Sequence, residues 1–292
     1  MPSLPILKIL ANELISARQV SRVPEPSLVM DDPQQVEAYT RAGREDGVMA
    51  PVYLFHCAQV CSVIRPGDHV LDLACGPANQ LCQIARLNPE CRFTGVDLSL
   101  EMIEKAKELV ASQGIRNVDF VEGSIADLKR FEDGSFDAVM STMALHHLPD
   151  FPTLKQTFAE AARVLHPTGG LYLVDFGRLK RADSIEYFAY QYKDRQPLLF
   201  TVDYYNSLHA AFTRDEFRQA CAYALGDRAR VFSTWAVPYM VIIKTKKRRH
   251  LPPSVVQSLH EIRDSLPNFH RKDLADLRKF FRLGGVSSSA LS

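Results

Sequence analysis

Short apolar runs alternate with helix-spaced apolar positions along the middle of the chain, from residue 69 to residue 176. Each run is bounded by glycine, proline, asparagine or aspartate, which is typical of strands. The segment SLEMIEKAKELVASQG, between the second and third runs, predicts a helix that Ser99 caps and Gly114 ends. The alternation predicts parallel strands with helices on both faces of the sheet, a doubly wound α/β fold. The five runs are HVLDLA, RFTGVD, NVDFVEG, FDAVMST and GLYLVDF.

The segments that flank this pattern complete the predicted fold. Two more runs, ARVFSTWAV and YMVIIKT, predict strands at about residues 229–236 and 239–245. We expect the last strand to be antiparallel, which gives a mostly parallel seven-stranded sheet within a core of residues 36–245. Residues 1 to about 30 fit one amphipathic helix, so residues 1–35 are predicted to be a helical lid or arm. Residues 246–292 predict a C-terminal helical extension.

Residues 178–212 are rich in tyrosine and phenylalanine, whereas aromatic residues make up 9% of the whole chain. The segment follows the fifth predicted strand, so we expect a cap inserted into the core. It forms either the interior of a helical cap or the wall of a ligand pocket, since tyrosine combines an apolar face with a hydroxyl. The polar candidates for substrate contact are Tyr190, Tyr204, Tyr205 and Asn206.

Composition narrows the class of protein. Lysine and arginine number 35 against 34 aspartates and glutamates, so the overall charge favours neither nucleic acid nor an anionic membrane. The basic run KTKKRRH is more typical of a solvated strand exit than of an RNA contact. No stretch approaches a membrane span, and six scattered cysteines without CxxC pairs indicate reduced thiols, so a cytoplasmic protein is expected. No cluster of acidic or histidine residues has the spacing of a metal site, and none is predicted.

The turn in VLDLACGPANQ, residues 70–80, lies where a doubly wound sheet binds ligands. It lacks the G-x-G-x-x-G pattern that seats a pyrophosphate. Asp72 can accept hydrogen bonds from a cationic amine, and Gly76 lets a ligand approach the backbone. Asp97 ends the second predicted strand, where a carboxylate can bind both hydroxyls of a ribose. A ribose and an amino-acid group without phosphate suggest S-adenosylmethionine.

Five segments resemble, in order and spacing, the motifs of class I S-adenosylmethionine-dependent methyltransferases. The resemblance covers roughly residues 36–245 and is greatest to the small-molecule branch that contains the ubiquinone and menaquinone methyltransferases. It implies a Rossmann-like fold, S-adenosylmethionine as cofactor and S-adenosylhomocysteine as product. One departure is Ala78, in place of the third glycine of D-x-G-x-G-x-G, which is tolerated where the backbone is helical. The segments are VLDLACGPAN, GVDLSLEMIEKAK, VEGSIADL, FDAVMSTMALHHLPD and RVLHPTGGLYLVDF.

The resemblance also implies a role for individual residues around the cofactor. It puts the turn after the first strand against the methionine part, and the end of the second strand against the ribose and adenine. It puts Ser124 and Ile125 at the adenine edge and the end of the fourth strand along the methionine side. Beside Asp72, the implied cofactor contacts are Ala74, Gly76, Asp97, Leu98, Ser124, Ile125, Ser141 and Thr142.

The predicted reaction is in-line displacement, in which an O, N, S or C nucleophile of a small molecule attacks the methyl group of the sulfonium. His146 and Tyr190 are the candidate catalytic residues, although LHHLPD also serves to pack a loop, and positioning alone can carry much of the catalysis. The alternatives are a methyltransferase that acts on RNA or protein, or a degenerate S-adenosylmethionine-binding scaffold protein. The helical termini are a candidate surface for a homodimer.

Overall fold

Seven strands form the centre of the protein in the computed structural model, which describes residues 4–27, 29–44 and 46–291. Their order across the sheet is β3-β2-β1-β4-β5-β7-β6, and β7 is antiparallel to both of its neighbours while the other pairs are parallel. The predicted fold class and the antiparallel last strand are therefore confirmed. The strands are β1 His69–Leu73, β2 Arg92–Asp97, β3 Val118–Glu122, β4 Phe136–Thr142, β5 Leu165–Phe176, β6 Ala229–Ser233 and β7 Met240–Thr245.

Helices cover both faces of this sheet. The helix predicted after Ser99 begins at Leu100, and the Ser99 hydroxyl accepts the Met102 N–H at 3.1 Å, as an N-cap should. The strand order reverses between β1 and β4, which opens a crevice at their carboxyl ends. The helices are α1 Leu4–Ile15, α2 Pro33–Ala42, α3 Ala50–Val63, α4 Asn79–Leu87, α5 Leu100–Ser112, α6 Phe151–Val164, α7 Ala182–Tyr190, α8 Leu198–Ala210, α9 Arg214–Leu225, α10 Pro253–Ser265 and α11 Asn268–Leu283.

The prediction of one helix from residue 1 to about 30 is wrong. Helix α1 ends at Ile15, and the chain from residue 16 to α2 is not helical in its described part. Tertiary contacts hold this segment in place: the Arg22 guanidinium donates to the carbonyls of His146, Leu148 and Ala210. Helical periodicity in the sequence cannot reveal a segment that is fixed by hydrogen bonds to distant backbone.

The C-terminal helices α10 and α11 pack on α3. The rings of Phe55 and Phe281 stack with their centroids 4.8 Å apart, and Val255, Leu259 and Leu274 are buried in the same hydrophobic core as α3. The predicted extension therefore completes one face of the core.

The basic run is a solvated exit only in part: Lys246, Lys247 and His250 are exposed, whereas its other cations are bonded inside the protein. Lys244 is buried on β7, between β5 and β6, and donates to Gln59 Oε1 at 2.7 Å. Arg248 pairs with Asp68, and Arg249 donates to Asn88. The hydrogen bonds of these cations join the end of β7 to α3 and to the loops beside it.

Among the described residues, no helix is both long and apolar enough to cross a membrane.

Candidate functional site

The turn after β1 passes through left-handed backbone at every second residue. Ala74, Gly76 and Ala78 have φ angles of 55°, 53° and 62°. The condition under which Ala78 would be tolerated without cost, helical backbone, is not met: its φ and ψ of 62° and 18° are left-handed. A left-handed alanine costs about 1–2 kcal/mol, and the complete burial of the Ala78 methyl group offsets part of that cost.

Asp97 joins the ends of β1 and β2. Its Oδ2 accepts the Gly76 N–H at 2.8 Å, and its Oδ1 accepts the Ser99 N–H at 2.9 Å. Burial raises the pKa of Asp97, although these backbone hydrogen bonds oppose the shift. Each oxygen retains a second lone pair, so the carboxylate can accept two further hydrogen bonds, as from the two hydroxyls of a ribose.

One cavity lies at the carboxyl ends of β1, β2 and β4, and it contains six of the predicted cofactor contacts. It is mostly apolar, with the Asp97 carboxylate in its wall. A Cβ built on Gly76 would meet only the Tyr39 ring within 4 Å, at 3.9 Å, so the backbone there is open to a ligand. An apolar slot with one carboxylate and an open backbone turn fits an adenosine with an amino-acid tail. The predicted residues in the lining are Ala74, Gly76, Asp97, Leu98, Ser124 and Ile125.

Three predicted contacts do not line this cavity: Asp72, Ser141 and Thr142. Asp72 is buried, and burial together with the nearby Asp97 raises its pKa well above the ordinary value. Ser141 is fully buried, and its hydroxyl donates to the Leu73 carbonyl at 2.8 Å, which ties β4 to β1. Met143, at the next position beyond β4, lines the cavity instead, with a left-handed φ of 55°.

A cover over the cavity comes from residues 29–39. The sequence assigned residues 29–35 to a lid or arm but named no ligand contact in this segment. The Ser99 hydroxyl donates to Asp31 Oδ1 at 2.6 Å, and Met30 and Tyr39 line the cavity. Tyr39 is hydrogen-bonded to the Tyr53 side chain of α3. These contacts lie on both sides of the predicted boundary at residue 35, so the cover continues into α2.

A buried histidine and aspartate lie beside the cavity. His146 Nδ1 and Asp175 Oδ1 are 2.7 Å apart, and the other oxygen of Asp175 accepts the His146 backbone N–H at 2.7 Å. The short contact to a carboxylate places the ring proton on Nδ1 and leaves Nε2 as the free nitrogen. Burial lowers the pKa of His146, but the Asp175 carboxylate outweighs it and the net shift is upward. His147 lines the cavity, with its ring centroid 4.4 Å from that of His146.

Two acidic side chains complete a polar cluster around His146. Glu25, in the non-helical segment before α2, accepts the Ser207 hydroxyl at 3.0 Å. Glu25, His146 and His147 each have one potential ligand atom, a carboxylate oxygen or a ring nitrogen, and these three atoms lie within 4.8 Å of one another. Burial, and then the Glu25 carboxylate, raise the pKa of Asp203 to about 7. Nothing in the sequence points to Glu25 or Asp203, because only the folded chain brings them to the end of β4.

The cap divides the predicted acceptor residues between two faces. Tyr204 lies inward, where its hydroxyl meets that of Tyr239 and its ring centroid is 5.3 Å from that of Phe176. Tyr190 and Tyr205, with ring centroids 5.8 Å apart, lie in a groove against α1 rather than in the cofactor cavity. Tyr204 and Tyr205 lie on different faces because neighbouring positions of a helix such as α8 point about 100° apart. Contact of these residues with an acceptor stays a prediction.

The fourth predicted residue, Asn206, is half-buried on α8. The Phe176 ring connects the inward face of the cap to the polar cluster, since its centroid lies 5.3 Å from that of His146.

Comparison with known proteins gives consistent matches. Residues 70–169 match the family described as a methyltransferase domain. A demethylmenaquinone methyltransferase of Listeria monocytogenes is 34% identical over 113 residues, which are 38% of this chain and 46% of that protein. A 2-phytyl-1,4-naphtoquinone methyltransferase of a Nostoc species is 34% identical over 116 residues, 39% of this chain and 49% of that protein.

The chain thus spans about half the length of the curated relatives it matches. Among solved structures, a SAM-dependent methyltransferase from Aquifex aeolicus has a TM-score of 0.53 and 17% identity, over 74% of this chain and 98% of that one. At that identity the likeness establishes the fold alone.

Proposed function

We propose that this chain, whose residues 70–169 match a methyltransferase domain, is a class I S-adenosylmethionine-dependent methyltransferase that transfers a methyl group from S-adenosylmethionine to a small molecule. The observation that best supports this function is the cavity at the ends of β1 and β2. There Asp97 retains two lone pairs for ribose hydroxyls, between the apolar side chains of Leu98 and Ile125.

The residues of the cavity would divide the work of binding. Asp97 would hold the ribose, and Leu98 and Ile125 would pack on the adenine. The left-handed turn from Ala74 to Gly76 would bring backbone against the amino-acid part. When bound, the cofactor supplies an electrophilic methyl group on its sulfonium, so the chain has to align a nucleophile with that bond and exclude water.

The cover over the cavity favours a small acceptor over RNA or a protein. Met30 and Tyr39 close the site from the N-terminal side, and α7 and α8 form a cap after β5. A nucleic-acid substrate would need an open basic face. In the basic run at the end of β7, Lys244 and Arg248 are bonded inside the protein, which leaves the exposed Lys246, Lys247 and His250 as a short basic segment rather than an extended face.

A second, apolar cavity supports an aromatic acceptor. It lies between α1, α7, α11 and the loop before β7, and Phe188, Trp235 and Tyr239 line it. Tyr239 meets Tyr204, which packs on Phe176 beside the polar cluster. The quinone substrates in the names of the curated relatives have the same flat, apolar character. We therefore infer an acceptor with an aromatic ring, whose nucleophilic atom would reach the cofactor past Phe176.

Two measurements on the full chain test this function. Calorimetry should show binding of S-adenosylmethionine and S-adenosylhomocysteine, and no binding would exclude any methyltransferase. Radiolabelled methyl transfer should then be measured with naphthoquinols, phenols and amines, and with tRNA and unfolded protein as separate substrates. Label in tRNA or protein alone would contradict the small-molecule proposal, whereas cofactor binding without turnover on any substrate would favour a scaffold.

A homodimer through the helical termini stays a prediction. The apolar faces of α10 and α11 are used inside the chain, whereas Leu7, Leu14 and Ile15 of α1 are exposed. Light scattering on the purified chain would give the oligomeric state.

A further inference from the structure

The polar cluster at the end of β4 has the side chains of a cation site. Glu25, His146 and His147 offer one carboxylate oxygen and two imidazole nitrogens, all within 4.8 Å of one another. Bound first-row metals have nitrogen and oxygen ligands at about 2.0–2.2 Å, so ligand atoms up to about 4 Å apart can share one ion. Small side-chain rotations would bring the three groups to that distance, and Glu25 is on an irregular segment that can accommodate them.

The hydrogen bonds of His146 are those of a typical metal-ligating histidine. Its Nδ1 is bonded to the buried carboxylate of Asp175 at 2.7 Å, and its backbone N–H is bonded to the other oxygen. A metal-ligating histidine usually donates its second ring nitrogen to a carboxylate in this way, which fixes the ring and makes the free nitrogen more basic. This second observation is independent of the three-residue cluster, because Asp175 belongs to β5 and not to the ligand set.

The charges around the cluster also favour a cation. Glu25, Asp175 and Asp203 place three carboxylates around His146, whereas Arg22 places one guanidinium there. When the three carboxylates are ionised and the imidazoles are neutral, the cluster has an excess of negative charge, and buried charge is costly unless it is paired or coordinates a metal. A divalent ion would balance it.

We propose that Glu25, His146 Nε2 and His147 bind one divalent transition-metal ion beside the cofactor cavity. Two imidazoles and one carboxylate suit Zn²⁺, Co²⁺, Ni²⁺ or Fe²⁺, whereas Mg²⁺ and Ca²⁺ prefer oxygen ligands alone. Three protein ligands leave coordination positions open. His147 faces the cavity, so an open position can accept an oxygen atom of the methyl acceptor. That use of the ion rests on the proposed function, but the binding of the ion does not.

Metal binding can be measured directly on the full chain, without its affinity tag and after dialysis against a chelator. Titration with ZnCl₂ or CoCl₂, monitored by calorimetry or by the visible absorption of Co²⁺, should show that one ion binds tightly to each chain. Glu25→Gln and His147→Ala should each weaken binding by about 10-fold or more, and Asp175→Asn by about 10–100-fold through the orientation of His146. His166→Ala, at an exposed histidine on β5, should leave the affinity unchanged.

Glu25→Gln is the decisive variant because its side chain is partly exposed, and the change should leave the fold intact. Equal affinity in the wild type and in this variant would overturn the proposal, as would the absence of a stoichiometric ion. The buried thiols Cys57 and Cys61 are hydrogen-bonded to each other and could bind Zn²⁺ adventitiously. Such binding would persist in Glu25→Gln and give Co²⁺–thiolate absorption, an outcome that also contradicts the proposal.

Cofactor calorimetry on the same samples separates this proposal from the proposed function. Binding of S-adenosylhomocysteine without any metal would refute the ion site alone. Binding of metal without S-adenosylhomocysteine would refute the methyltransferase function and leave the ion site standing.

Discussion

The Gly76 N–H donates to the Asp97 carboxylate at 2.8 Å, so the end of β2 holds the turn that follows β1. The same carboxylate accepts the Ser99 N–H at the start of α5. Asp97 therefore shapes the cavity as well as offering lone pairs to a ligand. A substitution of Asp97 therefore changes both the affinity for the ligand and the stability of the turn, and the variant must be chosen to separate these two effects.

Asp97→Asn should weaken the binding of S-adenosylhomocysteine by about 10-fold or more, since hydrogen bonds to a charged group are worth about 1.5–3 kcal/mol. The amide oxygen can still accept one of the two backbone N–H groups, so we expect a smaller loss of stability than in Asp97→Ala. Asp97→Ala should lose affinity and also about 1–3 kcal/mol in the free energy of unfolding, because both buried N–H groups lose their acceptor. Calorimetry and urea unfolding measure the two effects.

Asp119→Asn is the control, because Asp119 lies on the neighbouring strand β3 with an exposed side chain. Unchanged affinity in Asp97→Asn would contradict the assignment of Asp97 to the ribose.

Gly76→Ala and Gly67→Ala form a matched pair. Both glycines have positive φ angles, 53° and 84°, and a Cβ at either position meets no atom closer than 3.9 Å. Each variant should therefore lose about 1–2 kcal/mol in the free energy of unfolding through backbone strain alone. Only Gly76 lines the cavity, so only Gly76→Ala should also lose affinity for S-adenosylhomocysteine. Equal affinities in the two variants would show that the backbone of Gly76 does not approach the ligand.

The sequence predicted those parts of the site that depend on local pattern. Asp97 ends β2, and Leu98 follows it directly before a capped helix, so the position of Asp97 at the sheet edge follows from topology alone. The sequence did not show that Tyr205 lies in the groove against α1, away from Tyr204, because an aromatic-rich segment does not specify which face of a helix each residue occupies. Glu25 could not be found, because its position depends on tertiary hydrogen bonds of a non-helical segment.

Arg22→Gln should loosen the N-terminal segment. The guanidinium donates to the carbonyls of His146, Leu148 and Ala210, and the glutamine amide can replace few of these bonds. Hydrogen exchange of the described segment around residues 16–27 should become faster, while exchange in the sheet should stay unchanged. Arg18→Gln, at an exposed position of the same segment, is the control. Equal exchange rates in the two variants would mean that Arg22 does not anchor the segment.

The free energy of unfolding should increase as the pH rises from 8 to 10.5, because Lys244 is buried. Burial is the main reason that its pKa falls from 10.5 to about 8, with a contribution from the charge of Lys247. Between these values the unfolded chain binds the proton and the folded chain does not, so the free energy of unfolding increases with pH. The full gain is roughly 3 kcal/mol, and below pH 8 the cost of the buried ammonium stays constant.

The Lys244→Met variant isolates this contribution. The loss of the bond to Gln59 Oε1 shifts its stability by an amount that does not vary with pH. The difference between the wild-type and variant curves, measured by urea unfolding from pH 7 to pH 10.5, should therefore rise only above pH 8. Lys246→Met, two residues along the chain with an exposed side chain, should give a flat difference curve. A flat curve for Lys244→Met as well would mean that the folded chain keeps this lysine protonated to its ordinary pKa.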